Sequence, residues 1–332
     1  MSVAAVVKAR RRVAASGLAC LLAAGLLAGL AGCGLMNEPQ NAVVSRFVIP
    51  PPEVGHLRWN NDPTLAFSPD GNRLAYLVFQ ADESRQIHVR DIAAGSSRAV
   101  PGTEGGDTPF FSPDGQWLGF FADGSLKKVP LGGGEAVTLT PKATNLRGAS
   151  WGSNGTIVFN LTDTDVLYEV SAQGGEPRQL TTLGEGERSH RWPQFLPDAS
   201  AILFTIAVSD NPDDSQIAAL RLDSGQREIL IQGGTFGRYA TTGHLVYHRD
   251  GAIRAVGFNP AALTVTGMPT AVAEGILGSP PDTLTGVAQF AFSATGTLAY
   301  VQPEQAGGES EVYQIHVWPN WFEELRRIAA GQ

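Results

Sequence analysis

The chain has 332 residues, 43% of them hydrophobic and 17% charged, with 39 Gly and 21 Pro, the make-up of a globular protein rich in turns rather than helices. A formal net charge of −8 argues against a nucleic-acid partner, since such a surface repels phosphate. Only two cysteines are present, too few for a disulfide framework or a thiolate metal centre.

The first elements are not part of a fold. Lys8, Arg10, Arg11 and Arg12 precede an apolar run from Val13 to Gly32, the charge-then-hydrophobe order of a secretory signal. The run ends in Leu30-Ala31-Gly32-Cys33, which resembles the lipobox of bacterial lipoproteins, whose cysteine sulfur receives diacylglycerol before cleavage. An uncleaved membrane anchor is the other reading, but a small-residue cleavage site follows the run and no basic stop-transfer cluster does. Residues 1–32 are therefore expected to be a lipoprotein signal peptide, Cys33 the lipid attachment site and 33–43 a tether. Loss of the four leader cations takes the charge from −8 to −12. Gly34, where an Asp would signal inner-membrane retention, leans toward an outer membrane, with the protein facing the periplasm and touching the membrane through its lipid only.

From residue 44 onward the sequence repeats itself. The copies are Phe67-Ser-Pro-Asp-Gly71, Phe111-Ser-Pro-Asp-Gly115, Trp151-Gly-Ser-Asn-Gly155, Phe195-Leu-Pro-Asp-Ala199, Tyr239-Ala-Thr-Thr-Gly243 and Phe292-Ser-Ala-Thr-Gly296, spaced by 44, 40, 44, 44 and 53 residues. Each leads into a short apolar strand such as Leu74-Ala-Tyr76 or Ile202-Leu-Phe204, the signature of a hairpin. An alternating segment follows, for example Ile87–Ile92, Leu126–Val129 or Val312–Ile315, and then a Gly-rich turn and a further short strand such as Ala136–Leu139. Four strands per period of about 44 residues predict an all-β, six-bladed propeller of four-stranded blades. Val43–Ile49 reads as a strand able to pair with the last blade and close the ring. Trp321–Ile328 reads equally as a closing strand or a short amphipathic helix.

The string F-S-P-D-G-x-x-[LI]-[AG]-[FY] resembles the WD40-like (PD40) repeat of TolB-like propellers, over the whole of residues 44–332. Phe110–Val129, Ser189–Pro197 and Asn320–Arg327 further resemble the propeller that follows the kinase domain in some bacterial Ser/Thr protein kinases, without any kinase motif here. The resemblance implies a sensor or interaction role. The N-terminal α/β domain of TolB has no counterpart in the ten or so residues after Cys33.

Asp70 and Asp114 are expected to shape Pro-Asp-Gly turns rather than to act chemically, and the leading aromatics to pack blade on blade. Ser189-His190-Arg191-Trp192 departs from the repeat just before an aromatic, where the innermost strand of a blade lines the channel. By the same placement Asp107, Arg147 and Arg238 join His190 and Arg191 as channel or partner-binding candidates. The structural alternative for His190 is a hydrogen-bonded core histidine with a neighbouring Arg paired to Glu185 or Glu187. Asp210-Asn-Pro-Asp213-Asp214 does not match a calcium loop, and His244 and His248 lie too far apart along a strand to chelate together. No metal ligands and no cofactor are expected. The absence of G-x-S-x-G and of a phosphate loop argues against catalysis. The leading expectation is thus a non-catalytic envelope lipoprotein binding a protein or peptide, and the alternative a lactonase-like, metal-dependent hydrolase with its site in the channel.

Overall fold

Each repeat places turn residues between two runs of β-branched and aromatic residues, so the chain doubles back every few residues into antiparallel strands. The computed structural model describes residues 46–330, apart from 51, 53, 59–60, 145–146, 162–165, 280–282, 284 and 304–312. The segments expected to be a signal peptide and a tether, with Cys33, and Val312 lie outside the described residues. The described part belongs to the compact unit Val43–Gln332.

After β1 (Phe47–Ile49), the first blade is β2 (Leu65–Phe67), β3 (Arg73–Phe79), β4 (Arg85–Asp91) and β5 (Ser97–Ala99). The second is β6 (Asp107–Phe111), β7 (Trp117–Ala122), β8 (Ser125–Pro130) and β9 (Val137–Pro141), and the third β10 (Ala149–Trp151), β11 (Thr156–Asn160), β12 (Leu167–Ser171) and β13 (Arg178–Gln179). The fourth is β14 (Ser189–Phe195), β15 (Ala201–Ala207), β16 (Gln216–Arg221) and β17 (Arg227–Gln232), and the fifth β18 (Thr235–Ala240), β19 (His244–Arg249), β20 (Ala252–Asn259) and β21 (Thr264–Glu274). The sixth joins β22 (Phe290–Phe292), β23 (Leu298–Pro303) and β24 (Tyr313–Trp318) to β1 as its outermost strand. Phe47 stands opposite Val317 and Ile49 opposite Ile315, so both ends of the propeller meet in one sheet and the ring has no open seam.

The predicted turns are formed. Asp70 accepts from Ser68 Oγ at 2.5 Å and from Asn72 N at 3.0 Å, and Asp114 does the same with Ser112 Oγ and Gln116 N. Asp198 repeats the device with Ser200 N at 3.1 Å. These bonds hold all three carboxyls below the usual carboxylate range, the hydroxyl of Ser68 or Ser112 contributing most at Asp70 and Asp114 and the Ser200 backbone N–H most at Asp198.

The core is distributed among the blade junctions. Leu77, Phe111 and Phe120 fill the first junction, Phe110, Phe121 and Phe159 the second, and Phe195, Phe204 and Ile206 the third. Leu203, Leu245 and Tyr247 fill the fourth, Phe236, Phe290 and Tyr300 the fifth, and Ile49, Tyr76 and Ile315 the sixth. The leading aromatic of every repeat takes part in one of these clusters, as expected. The undecided C-terminal segment is a helix, α1 (Trp321–Ala329). It buries Trp321, Phe322 and Leu325 at helical spacing, and both aromatic rings lie 5.4–5.8 Å from that of Phe292.

Candidate functional site at the channel

Four of the six blades break the regular run of the chain just before the repeat aromatic. Thr108, Trp192 and Phe236, each three residues before its repeat aromatic, take φ of 50°, 55° and 57°, and Gly148 at the same offset takes 87°. In β6, β14 and β18 the register with the next strand shifts across that residue, so a bulge resets the alternation and turns the preceding side chain. The offset before the bulge carries Asp107, Arg147 and Arg191 in three consecutive blades.

These residues gather where the inner strands begin, at one mouth of the channel. Asp107 is 1% exposed; its Oδ1 accepts from Thr108 N at 2.8 Å, and its Oδ2 lies 3.2 Å from Arg85 Nε, a cation reaching over from the first blade. Beside it sits Asp62, also buried. Desolvation, and next the Asp107 charge, push the Asp62 carboxyl up to about 8, against the opposing pull of Arg147 and Arg85. At neutral pH the Asp62 carboxyl therefore keeps its proton, beside Asp107 and two guanidiniums.

Arg191 donates from Nε to Ser189 Oγ at 2.5 Å and from Nη1 to Thr285 O at 2.9 Å, reaching past the fifth blade to the segment before the sixth. Thr285 Oγ1 in turn donates to Asn61 O at 3.0 Å, next to Asp62. The long spacing between the last two repeats is accounted for by the eleven-residue β21 and by this segment at the mouth. Arg238 stands further along the wall, donating to Trp192 O at 2.8 Å with its guanidinium carbon 3.8 Å from the centre of the Phe236 ring. Burial pushes it down to about 9, which leaves it a cation at neutral pH. Beyond the mouth a cavity of about 160 Å³ takes residues from all six inner strands, among them Leu65, Phe110, Ser150, Gln194, Arg238 and Phe290.

Of the five predicted channel residues, the structure brings Asp107, Arg147 and Arg191 to the mouth and Arg238 to the wall. His190 is placed elsewhere. Fully buried in the junction with Phe204, its ring bonds Thr181 Oγ1 through Nδ1 at 2.7 Å and Glu187 Oε2 through Nε2 at 3.0 Å, and Arg227 completes the ion pair with Glu187. Burial pushes the imidazole pKa down, against the pull of Glu187. Asp62 and Arg85 escape a search for departures from the repeat, although Asp62 lies five residues before Phe67, the offset that His190 occupies before Phe195.

Among the described residues, no group of three or more His, Cys, Asp or Glu side chains is placed to hold a metal. Asp213 and Asp214 belong to a capped single turn, with Asp213 Oδ1 accepting from Asp250 N at 3.1 Å. His244 bonds Thr242 and His248 bonds the Ile276 carbonyl, each on its own.

The architecture and the repeat define a six-bladed β-propeller of four-stranded blades. No family model matches the chain. A segment of 158 residues, 45% of the chain, is 25% identical to an uncharacterized peptidase, YuxL, of Bacillus subtilis strain 168, of which it covers 22%. In three dimensions the chain is similar to an oligogalacturonate lyase in complex with manganese, with a TM-score of 0.52 and 14% identity over 83% of this chain and 93% of that one. It is also similar to TolB from Acinetobacter baumannii, with a TM-score of 0.49 and 18% identity over 59% of this chain and 52% of that one. The peptidase relative overturns the expectation that the chain is no enzyme. That expectation rested on missing active-site motifs. Those motifs mark a catalytic domain, and the matched stretch spans little more than a fifth of the relative.

Proposed function

We propose that the propeller serves peptide hydrolysis and that the channel mouth holds the substrate peptide. The observation that carries this reading is the crowding of Asp62, Asp107, Arg85 and Arg147 into one mouth, with both carboxyls buried and Arg191 and Arg238 nearby. Half-buried cations around the buried Asp107 match a chain that has an ammonium at one end, a carboxylate at the other and amide dipoles between, and such contacts strengthen where water is partly excluded. Partial identity to a peptidase points to the same substrate class. The propeller works at the cell envelope, exported by the leader and held at the membrane through lipid on Cys33.

The test is binding and cleavage of a panel of short peptides with free and blocked termini, measured by calorimetry and by mass spectrometry. Free-terminus peptides should bind the purified chain, and Asp107→Asn combined with Arg147→Met should weaken them roughly tenfold with melting temperature largely kept. Unchanged affinity in a folded double variant, or no peptide binding at all, would sink the reading.

A further inference from the structure

The junction between the second and third blades departs from the other five beside its Pro-Asp-Gly turn. Lys128 on β8 stands opposite Gly119, a position that the other blades give to Val89, Glu169, Ala219, Ala255 and Val317. Only 7% exposed, its ammonium lies 4.5 Å from the centre of the Trp117 ring and 5.8 Å from that of Trp151, and it donates to Ala172 O across the junction at 2.6 Å. Trp117 is itself a departure, since the residue at its place elsewhere is Arg73, Thr156, Ala201, His244 or Thr297. A cavity of about 350 Å³ opens beside the three side chains, with Asp114, Ser153 and Gln173 on its lining.

We propose that this junction pocket binds an acidic sugar unit, with its carboxylate on Lys128 Nζ and its ring face against an indole. The cage already contains its own cation, so it is closed to a cationic ligand of the kind such aromatic cages otherwise take. One of the three ammonium donors is used by Ala172, and among the described residues no carboxylate stands within ion-pair distance of Nζ. Desolvation accordingly pushes Lys128 below its usual value, and an anion brought into the pocket offsets that cost. The lining decides what carries the anion. Asp114, Ser153 and Gln173 offer acceptors and donors that hydroxyl groups satisfy and an aryl ring does not, while the two indoles offer apolar faces to the C–H side of a sugar. The proposal is independent of peptide binding in the channel, because Lys128 and the mouth share no residue.

The probes are glucuronate, glucose and benzoate, titrated into the purified chain by calorimetry and tryptophan fluorescence. Glucuronate should bind saturably, with glucose and benzoate each roughly tenfold weaker. Lys128→Met installs an apolar side chain of the kind found there in four other blades, and Trp117→Thr installs the residue of the third and sixth, so both should fold, as checked by thermal melting. Each should lose most glucuronate affinity while peptide binding stays as in the parent. Absence of saturable glucuronate binding, equal or tighter binding of glucose or benzoate, or full affinity in either folded variant overturns the proposal.

Discussion

Gln289 Oε1 accepts from Thr64 Oγ1 at 2.8 Å and from Thr64 N at 3.2 Å, while its Nε2 donates to Asp62 O at 2.8 Å, so one amide stitches the sixth blade to the first next to the channel mouth. Both residues are buried, and removal of the amide strands two donors and an acceptor away from water. Gln289→Ala should cost about 2–4 kcal/mol, read from urea unfolding followed by circular dichroism. A loss well under 1 kcal/mol would show that the stitch contributes little.

The outer part of the same closure rests on β1. Ile49 is 1% exposed and packs with Val317, Ile315 and Tyr76 at the junction of the sixth and first blades. Truncation to Ala leaves a cavity in a cluster built from both ends of the propeller, and should cost about 2–4 kcal/mol. Exposed Val48 on the same strand is the control; Val48→Ala should shift the unfolding midpoint far less.

Asp62 gives a pH dependence whose sign follows from linkage. Its folded pKa of about 8 lies above the unfolded value of 3.8, so between those values the folded state holds a proton that the unfolded state has released. Stability from this group is full below the unfolded value and is lost as pH rises toward 8, at up to about 1.4 kcal/mol per pH unit. Asp62→Asn keeps the neutral shape without the titration. Its melting temperature should therefore pull ahead of the parent progressively from pH 5 to pH 8 and then hold a constant lead, and parallel curves across that range would contradict the raised pKa.

Lipid attachment makes a separate prediction. Labelled palmitate should enter the protein in a lipoprotein-processing host and vanish with Cys33→Ala; label that survives the substitution would remove the anchor.

The parts of the fold legible in the sequence are those that local chemistry repeats. Asp70 and Asp114 announce turns because Pro, Asp and Gly each supply a needed torsion or hydrogen bond, and Phe67, Phe111 and Phe195 announce junctions because they recur in register. The channel was read less well for a geometric reason. Strict alternation cannot place His190 and Arg191 on the same face, and the bulge at Trp192 settles which of them looks inward. Arg85 carried no signal at all, since it comes from the third strand of the first blade and meets Asp107 only through blade packing. Lys128 did carry one, a cation in a register position that four other blades give to Val or Ala, but it becomes visible only once the strands are aligned by pairing. The helix at Trp321–Ala329 stayed ambiguous because its apolar residues suit either period, and packing against Phe292 decides the matter.

The way the ring is shut also sets its response to force. Three residue pairs, Phe47 with Val317, Val48 with His316 and Ile49 with Ile315, join β1 to its blade, backed by Arg46 lying 3.6 Å from the centre of the Trp318 ring. Each of the other blades is instead continuous in the chain from its inner to its outer strand. Tension applied on the N-terminal side of Arg46 falls first on this short clasp, so under load the propeller should unlatch and open at one seam before any blade melts.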